Sequence, residues 1–261
     1  EFLTTTDIMF YHLDARDRKA DARNLKTILR LLKKEKIILV TSVEAITRKY
    51  VPKKIILDNI FKLKVGQTMD MQDLARRLVD LGYQRVSKVE GFGQFSMRGG
   101  IIDVFTLMYN FPLRLEFFDD EIDSIRYFDA ESQISLENAD YVRICPAAEF
   151  VPTEEERLIA LTKIIGEYDD RLARLSSENK DGKLSDGRID RIEELKDRIA
   201  EMFTECTNVQ IFANYLKYFN IKDERIWDYI ECSNDASLMI YDPNRVETEI
   251  PEYEEKSDLN K

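Results

Sequence analysis

Residues 91–126, GFGQFSMRGGIIDVFTLMYNFPLRLEFFDDEIDSIR, restrict this chain more than any other stretch. They read as consecutive short β-strands, in which side chains alternate between two faces with period two. In 94–98, Phe95 and Met97 share one face, and Gln94, Ser96 and Arg98 share the other. Gly99-Gly100 permits a bend or bulge before Ile101-Ile102-Asp103-Val104-Phe105. In 113–118 the period returns, with Leu113, Leu115 and Phe117 opposite Arg114, Glu116 and Phe118. Asp119-Asp120 marks a turn, and 121–128 a return strand whose blurred alternation assigns no faces.

Phe118 thus shares a face with Arg114 and Glu116. An aromatic on a charged face is either covered by the same molecule or kept for a partner. Arginine and aromatic residues together are what binding hot spots are enriched in. On the pattern alone, a helix covering Phe118, with Arg114 paired to Glu116 or to a neighbouring strand, is the favoured account, because sheet faces are often covered; a family resemblance reverses that order.

Four segments carry a resemblance: GYQRV (82–86), GQFSMRGGIIDVF (93–105), LRLEFFDDEIDSIRYFDAESQ (113–133) and ICPAAEF (144–150). They resemble the UvrB-homology module of the bacterial transcription-repair coupling factors (Mfd), and share a pattern with the excision-repair protein UvrB. The resemblance implies that the module binds UvrA, the damage-scanning ATPase, through Arg98, Arg114 and Phe118. It also implies that another domain masks this face in the resting protein. Two positions depart from the family: Thr106 stands where proline is usual after Val-Phe, and Phe92 is unusual in the loop before the first strand. Both bear on loop shape.

The resemblance continues upstream over 7–52, which is similar to the second half of the family's first domain. Asp21 to Lys34 carries Leu25, Ile28, Leu29 and Leu32 at helical spacing. Lys36 to Thr41 is a short apolar run typical of a buried parallel strand, and Ser42 can cap a helix over 43–50. Further on, Asp70 caps a helix through Leu81, with Leu74, Leu78 and Leu81 as its stripe and Gly82 at its end. That helix would cover one face of the following strands.

After Pro152, Thr153 and three glutamates open a helix with Leu158, Leu161, Ile164 and Ile165 as its stripe. Residues 176–190 form a polar, glycine-containing break. A second helix follows over 188–203, through Ile189, Ile192, Leu195, Ile199 and Phe203. The aromatics of 212–219, and Trp227 beyond them, read as core. Residues 236–243 read as a strand, and 252–261 as a charged tail.

The expected fold class is α/β. A helicase-like α/β domain, N-terminally truncated and without ATPase motifs, would carry an inserted α+β, mostly antiparallel-sheet UvrB-type module. Residues 1–63 would be the second half of the helicase-like domain (1a), 64–149 the UvrA-binding module, and 150–261 the rest of that domain (1b). The resemblance places a first strand and helix before residue 1, so the chain is expected to be a fragment.

Charge and motifs narrow the function. The net charge is −11, and residues 64–149 hold nine Lys/Arg against fifteen Asp/Glu. A duplex-binding surface draws its affinity from a basic footprint, so strong DNA binding by this chain is not expected. No G-x-x-x-x-G-K-[ST] loop is present, and Gly182-Lys183-Leu184 lacks the magnesium-binding hydroxyl. Cys145, Cys206 and Cys232 are scattered, which fits reduced, cytoplasmic thiols. His12, the sole histidine, has no motif around it. Asp119, Asp120, Glu121 and Asp123 read as a solvated turn rather than a metal site. No apolar run reaches membrane length, and no signal peptide is visible.

The expectation is therefore a non-catalytic interaction module, with no cofactor and no metal, that recruits UvrA to a stalled polymerase. RNA polymerase and DNA would be met by other domains of an ATP-dependent translocase parent. A fragment of UvrB itself, or a degenerate helicase-like domain that binds DNA directly, are the alternatives.

Overall fold

The computed structural model describes residues 1–3, 18–178, 187–206, 209–230, 237 and 239–248. Strand β1 (Phe2–Leu3) precedes helix α1 (Arg18–Leu32), whose Leu25, Ile28 and Leu29 are buried at the expected helical spacing. Strand β2 (Val40–Thr41) then pairs with β1 in parallel, Phe2 opposite Val40 and Leu3 opposite Thr41. The buried strand expected over 36–41 is corrected here: only two residues pair, Ile38 is 83% exposed, and Val40 is exposed too. Among the described residues β1 is the one neighbour of β2, so the run has no sheet around it to bury it.

Ser42 caps helix α2 (Val43–Thr47) by accepting from Ala45 N at 3.2 Å, and Pro52 precedes helix α3 (Lys53–Asp58). Leu25, Ile28, Tyr50 and Ile56 from this region share a core cluster with Leu107, Cys145, Ile226 and Tyr229.

Strand β3 (Phe61–Lys64) opens the strand-rich part. Helix α4 (Met71–Asp80) starts where Asp70 accepts from Gln72 N (2.7 Å) and Asp73 N (3.0 Å). It ends at Leu81, and Gly82 takes φ +83°, a conformation that glycine reaches without a Cβ clash. Six strands follow: β4 (Gln84–Arg85), β5 (Gln94–Arg98), β6 (Ile101–Phe105), β7 (Leu113–Phe118), β8 (Glu121–Phe128) and β9 (Ser135–Asn138). They form one sheet in sequence order, antiparallel except for the parallel β4–β5 pair. Strand β10 (Tyr141–Ile144) returns to pair with β3.

Helix α4 covers one face of this sheet as expected. Leu74, Leu78 and Leu81 pack with Phe95, Ile102, Val104, Leu113, Leu115, Ile122 and Ile125 in one core. The blurred period of β8 has a cause: Glu116 faces Ser124 but Phe117 faces Ile122, so Asp123 is an extra residue in a bulge.

Thr153 and Glu156 form a reciprocal cap, Thr153 N to Oε2 at 2.7 Å and Glu156 N to Oγ1 at 3.2 Å. They open helix α5 (Glu154–Glu178), which packs beside helix α6 (Gly187–Glu205) through Ala160, Ile164, Ile199 and Phe203. Leu158, expected in the stripe, is exposed instead, because the buried arc runs through Ala160 and Ile164. Two 3₁₀ turns, Val209–Asn214 and Leu216–Phe219, bring Phe212 against Phe203 with ring centroids 5.1 Å apart, and helix α7 (Ile226–Tyr229) follows. The aromatic core is thus real, but Trp227 is exposed on α7 rather than packed in it.

The strand expected over 236–243 is not formed by its described residues: 237 and 239–242 pair with nothing, and 243–248 is helical. Asp242 is the helix start, its carbonyl accepting from Val246 N at 3.2 Å, with proline next as a favoured first residue. His12, Cys232, the 182–184 triplet and the charged tail lie outside the described residues.

A candidate protein-interaction face

The face of the sheet turned away from α4 is ordered by register, and Val89 packs with Phe105 and Phe128 over part of it. Ser96 of β5 sits opposite Asp103 of β6, Asp103 opposite Arg114 of β7, and Arg114 opposite Arg126 of β8. Arg98, Ile101, Glu116 and Ser124 form the next row toward the hairpin ends. Phe118 ends β7 one step beyond that row, opposite Glu121.

Asp103 lies at the centre, with its side chain 1% exposed. Its carboxylate accepts from Arg114 Nε at 2.7 Å, Arg114 Nη2 at 2.9 Å and Arg98 Nη2 at 3.2 Å. A buried carboxylate needs such partners, since an unpaired buried charge is costly. Arg114 also donates to Gln133 Oε1 at 3.2 Å, and its guanidinium stacks on Phe128 at 4.4 Å. Hydrogen bonding to Asp103 pushes the Arg114 guanidinium above its usual pKa. Beside this cluster Arg126 pairs with Glu116, and Ser124 Oγ donates to Glu116 Oε2 at 3.0 Å.

The three residues implied by the resemblance therefore share a face but not an exposure. Phe118 is 75% exposed, the Arg98 side chain 51% and the Arg114 side chain 13%. Nothing described covers Phe118, and Arg114 pairs with a neighbouring strand rather than with Glu116. Arg98 and Phe118 stand on parallel strands with β6 between them, roughly 10 Å apart across the sheet and 7 Å along it.

Phe118 is held on a braced hairpin. Asp119 takes φ +49° in the turn, Met69 N donates to Asp120 O at 2.6 Å, and Ile122 N to Gln67 O at 3.0 Å. Thr68, Phe118, Asp119, Asp120, Glu121 and Asp123 line a shallow depression there. Among the described residues no group of three or more His, Cys, Asp or Glu is arranged to hold a metal.

The two departures from the family are accommodated. Phe92 lies on the Phe105 ring at 4.3 Å. Thr106 is buried with Oγ1 3.2 Å from Cys145 Sγ, where burial pushes the thiol's pKa up.

Asp103 is the functional candidate that strand alternation passed over. The signal was present: a lone carboxylate inside an apolar strand, between two strands that carry arginines on one face.

One face of the sheet thus lies under a capped helix, and the other carries an ordered Arg–Asp cluster beside an exposed aromatic, an arrangement consistent with a UvrB-type module. Residues 61–150 match the family model described as the UvrB interaction domain. Across 221 residues, 85% of its length, the chain is 36% identical to the transcription-repair-coupling factor of Bacillus subtilis. It is 45% identical to that of Myxococcus xanthus over 119 residues, 46% of the chain, and 36% identical to that of Staphylococcus epidermidis over 149 residues, 57% of the chain. The matched regions make up 18%, 10% and 13% of those three relatives, so the chain spans less than a fifth of their length. The resemblance carried by GQFSMRGGIIDVF and LRLEFFDDEIDSIRYFDAESQ is borne out.

Proposed function

We propose that this chain is a non-catalytic recruiting module that binds UvrA through the face bearing Phe118, Arg98 and Arg114, and so brings nucleotide excision repair to a stalled RNA polymerase. The observation that carries the proposal is Phe118. A large aromatic 75% exposed on a braced hairpin, in a face that also presents an arginine, has the composition of a binding hot spot. The match of 61–150 to the UvrB interaction domain and the coupling-factor relatives support the same reading.

Residues 1–63 and 150–261 then act as a helicase-like frame around a 64–149 module, in the cytoplasm and without a cofactor. RNA polymerase, DNA and the ATP-driven motor belong to other parts of a longer protein. The excess of acidic over basic residues in 64–149 favours a protein partner over duplex DNA.

The test is capture of purified UvrA by the 261-residue chain, with Arg98→Ala, Arg114→Ala and Phe118→Ala compared. Loss of capture with Phe118→Ala and Arg98→Ala, in folded variants, is expected. Undiminished capture by all three would refute the assignment of this face.

A further inference from the structure

We infer that Asp103 is the positioning residue of this face, that Arg114 is its scaffold, and that Arg98 is the arginine that meets the partner. The inference rests on the UvrA-binding reading and divides the labour within it.

Geometry separates the two arginines. Arg114 gives Nε and Nη2 to the Asp103 carboxylate, adds Gln133, and lies flat on Phe128 with its side chain 13% exposed. A guanidinium carries five N–H donors in a fixed fork. In Arg114 the fork is turned inward, onto the two oxygens of a buried acid. Arg98 spends one bond on Asp103, at 3.2 Å, and its side chain is 51% exposed. With half of that side chain exposed, its remaining donors can offer a carboxylate or carbonyl of a partner a second attachment.

Asp103 sets where that arginine stands. Arg98 is the last residue of β5, and a free arginine at the strand end would sample many rotamers. The bond to Asp103 restricts it before binding, which lowers the ordering cost that association carries. Asp103 cannot shift in turn, because Arg114 grips both its oxygens and the pair is locked between Phe128 and the strands. Charge follows the same logic: one carboxylate shared by two arginines leaves the trio with a single positive charge, carried on its exposed member. Asp103 itself touches no partner, since it is buried beneath both arginines.

The experiment is a double-mutant cycle on UvrA binding by the whole chain, using Asp103→Asn, Arg98→Ala and their combination. Phe118→Ala serves as the control, and thermal melts establish folding. The expected result is an affinity loss of about tenfold for Asp103→Asn, with Arg98→Ala costing much less in that background than in the parent. Additive losses, or parental binding by Asp103→Asn, overturn the inference. A purely structural Asp103 would lower the melt and leave the two substitutions uncoupled. If Asp103→Asn does not fold, Asp103→Glu decides: it keeps the charge but moves the carboxylate by one methylene. An intermediate loss then supports the inference, and parental affinity overturns it. Parental binding by both Phe118→Ala and Arg98→Ala in the same assay would instead overturn the UvrA reading beneath it.

Discussion

The amide of Phe117 donates to the carbonyl of Gly100 at 2.8 Å, which ties the β5–β6 turn to the strand that presents Phe118. A Cβ on Gly100 would lie 3.0 Å from the Phe117 carbonyl oxygen, tighter than nine in ten such contacts. The Gly-Gly pair therefore does more than turn the chain: its second member lets two strand ends of the sheet lie against each other.

Gly100→Ala is expected to cost about 1–2 kcal/mol, as overpacking against backbone does. It should also weaken UvrA capture, because the end of β7 must shift. A lower urea midpoint together with weaker capture is the expected pair of results. An unchanged midpoint would show that the turn tolerates the added methyl.

Arg114→Ala and Phe118→Ala should separate stability from binding. Arg114→Ala leaves the buried Asp103 carboxylate short of its main partner and is expected to cost about 3 kcal/mol. Phe118→Ala removes an exposed ring and should stay within about 0.5 kcal/mol of the parent. Denaturant melts of the two variants, run beside capture assays, read both effects.

The helix behind the sheet offers two independent measurements. Asp70→Ala removes the acceptor for Gln72 N and Asp73 N and should cost about 1 kcal/mol. Leu78→Ala opens a cavity in the core under the strands and should cost about 3 kcal/mol. The sites are distinct, so urea titration of the double variant should give nearly the sum.

Alkaline pH should unfold the region around Tyr50. Burial pushes this phenol up to about 12, against a partial lowering by Arg48, and its hydroxyl donates to Ala45 O at 2.6 Å. The folded pKa exceeds the unfolded value near 10, so the unfolded state loses its proton first. The stabilising contribution is full below pH 10 and is lost as pH rises toward 12. Urea titrations between pH 8 and pH 12 should show a falling stability, with a shallower fall for Tyr50→Phe. Equal slopes for the two proteins would place the alkaline sensitivity elsewhere.

Local features were readable from the chain alone. Asp70, the 74–78–81 stripe and Gly82 delimited helix α4, because caps and helical periodicity act within a few residues. Alternation sorted Phe95 from Ser96 and Leu115 from Glu116 by the same short-range logic. The return strand resisted, since the Asp123 bulge breaks period two at the residue where it would be read. The apolar run of 36–41 misled for another reason: hydrophobicity promises burial only when neighbouring strands supply a cover, and among the described residues it has β1 alone.

The amino-acid sequence by itself determined how side chains alternate along β5 and β7 and where helix α4 begins and ends, while the grouping of Arg98, Arg114 and Phe118 came from the family resemblance. Only the tertiary structure decided how unequally they are exposed. Register across β5, β6 and β7 brought Arg98 and Arg114 onto one buried carboxylate, and left Arg98 and Phe118 outward. Such a division depends on which strand lies opposite which, and on how deeply each side chain sinks. Those are properties of the assembled sheet, and no local periodicity carries them.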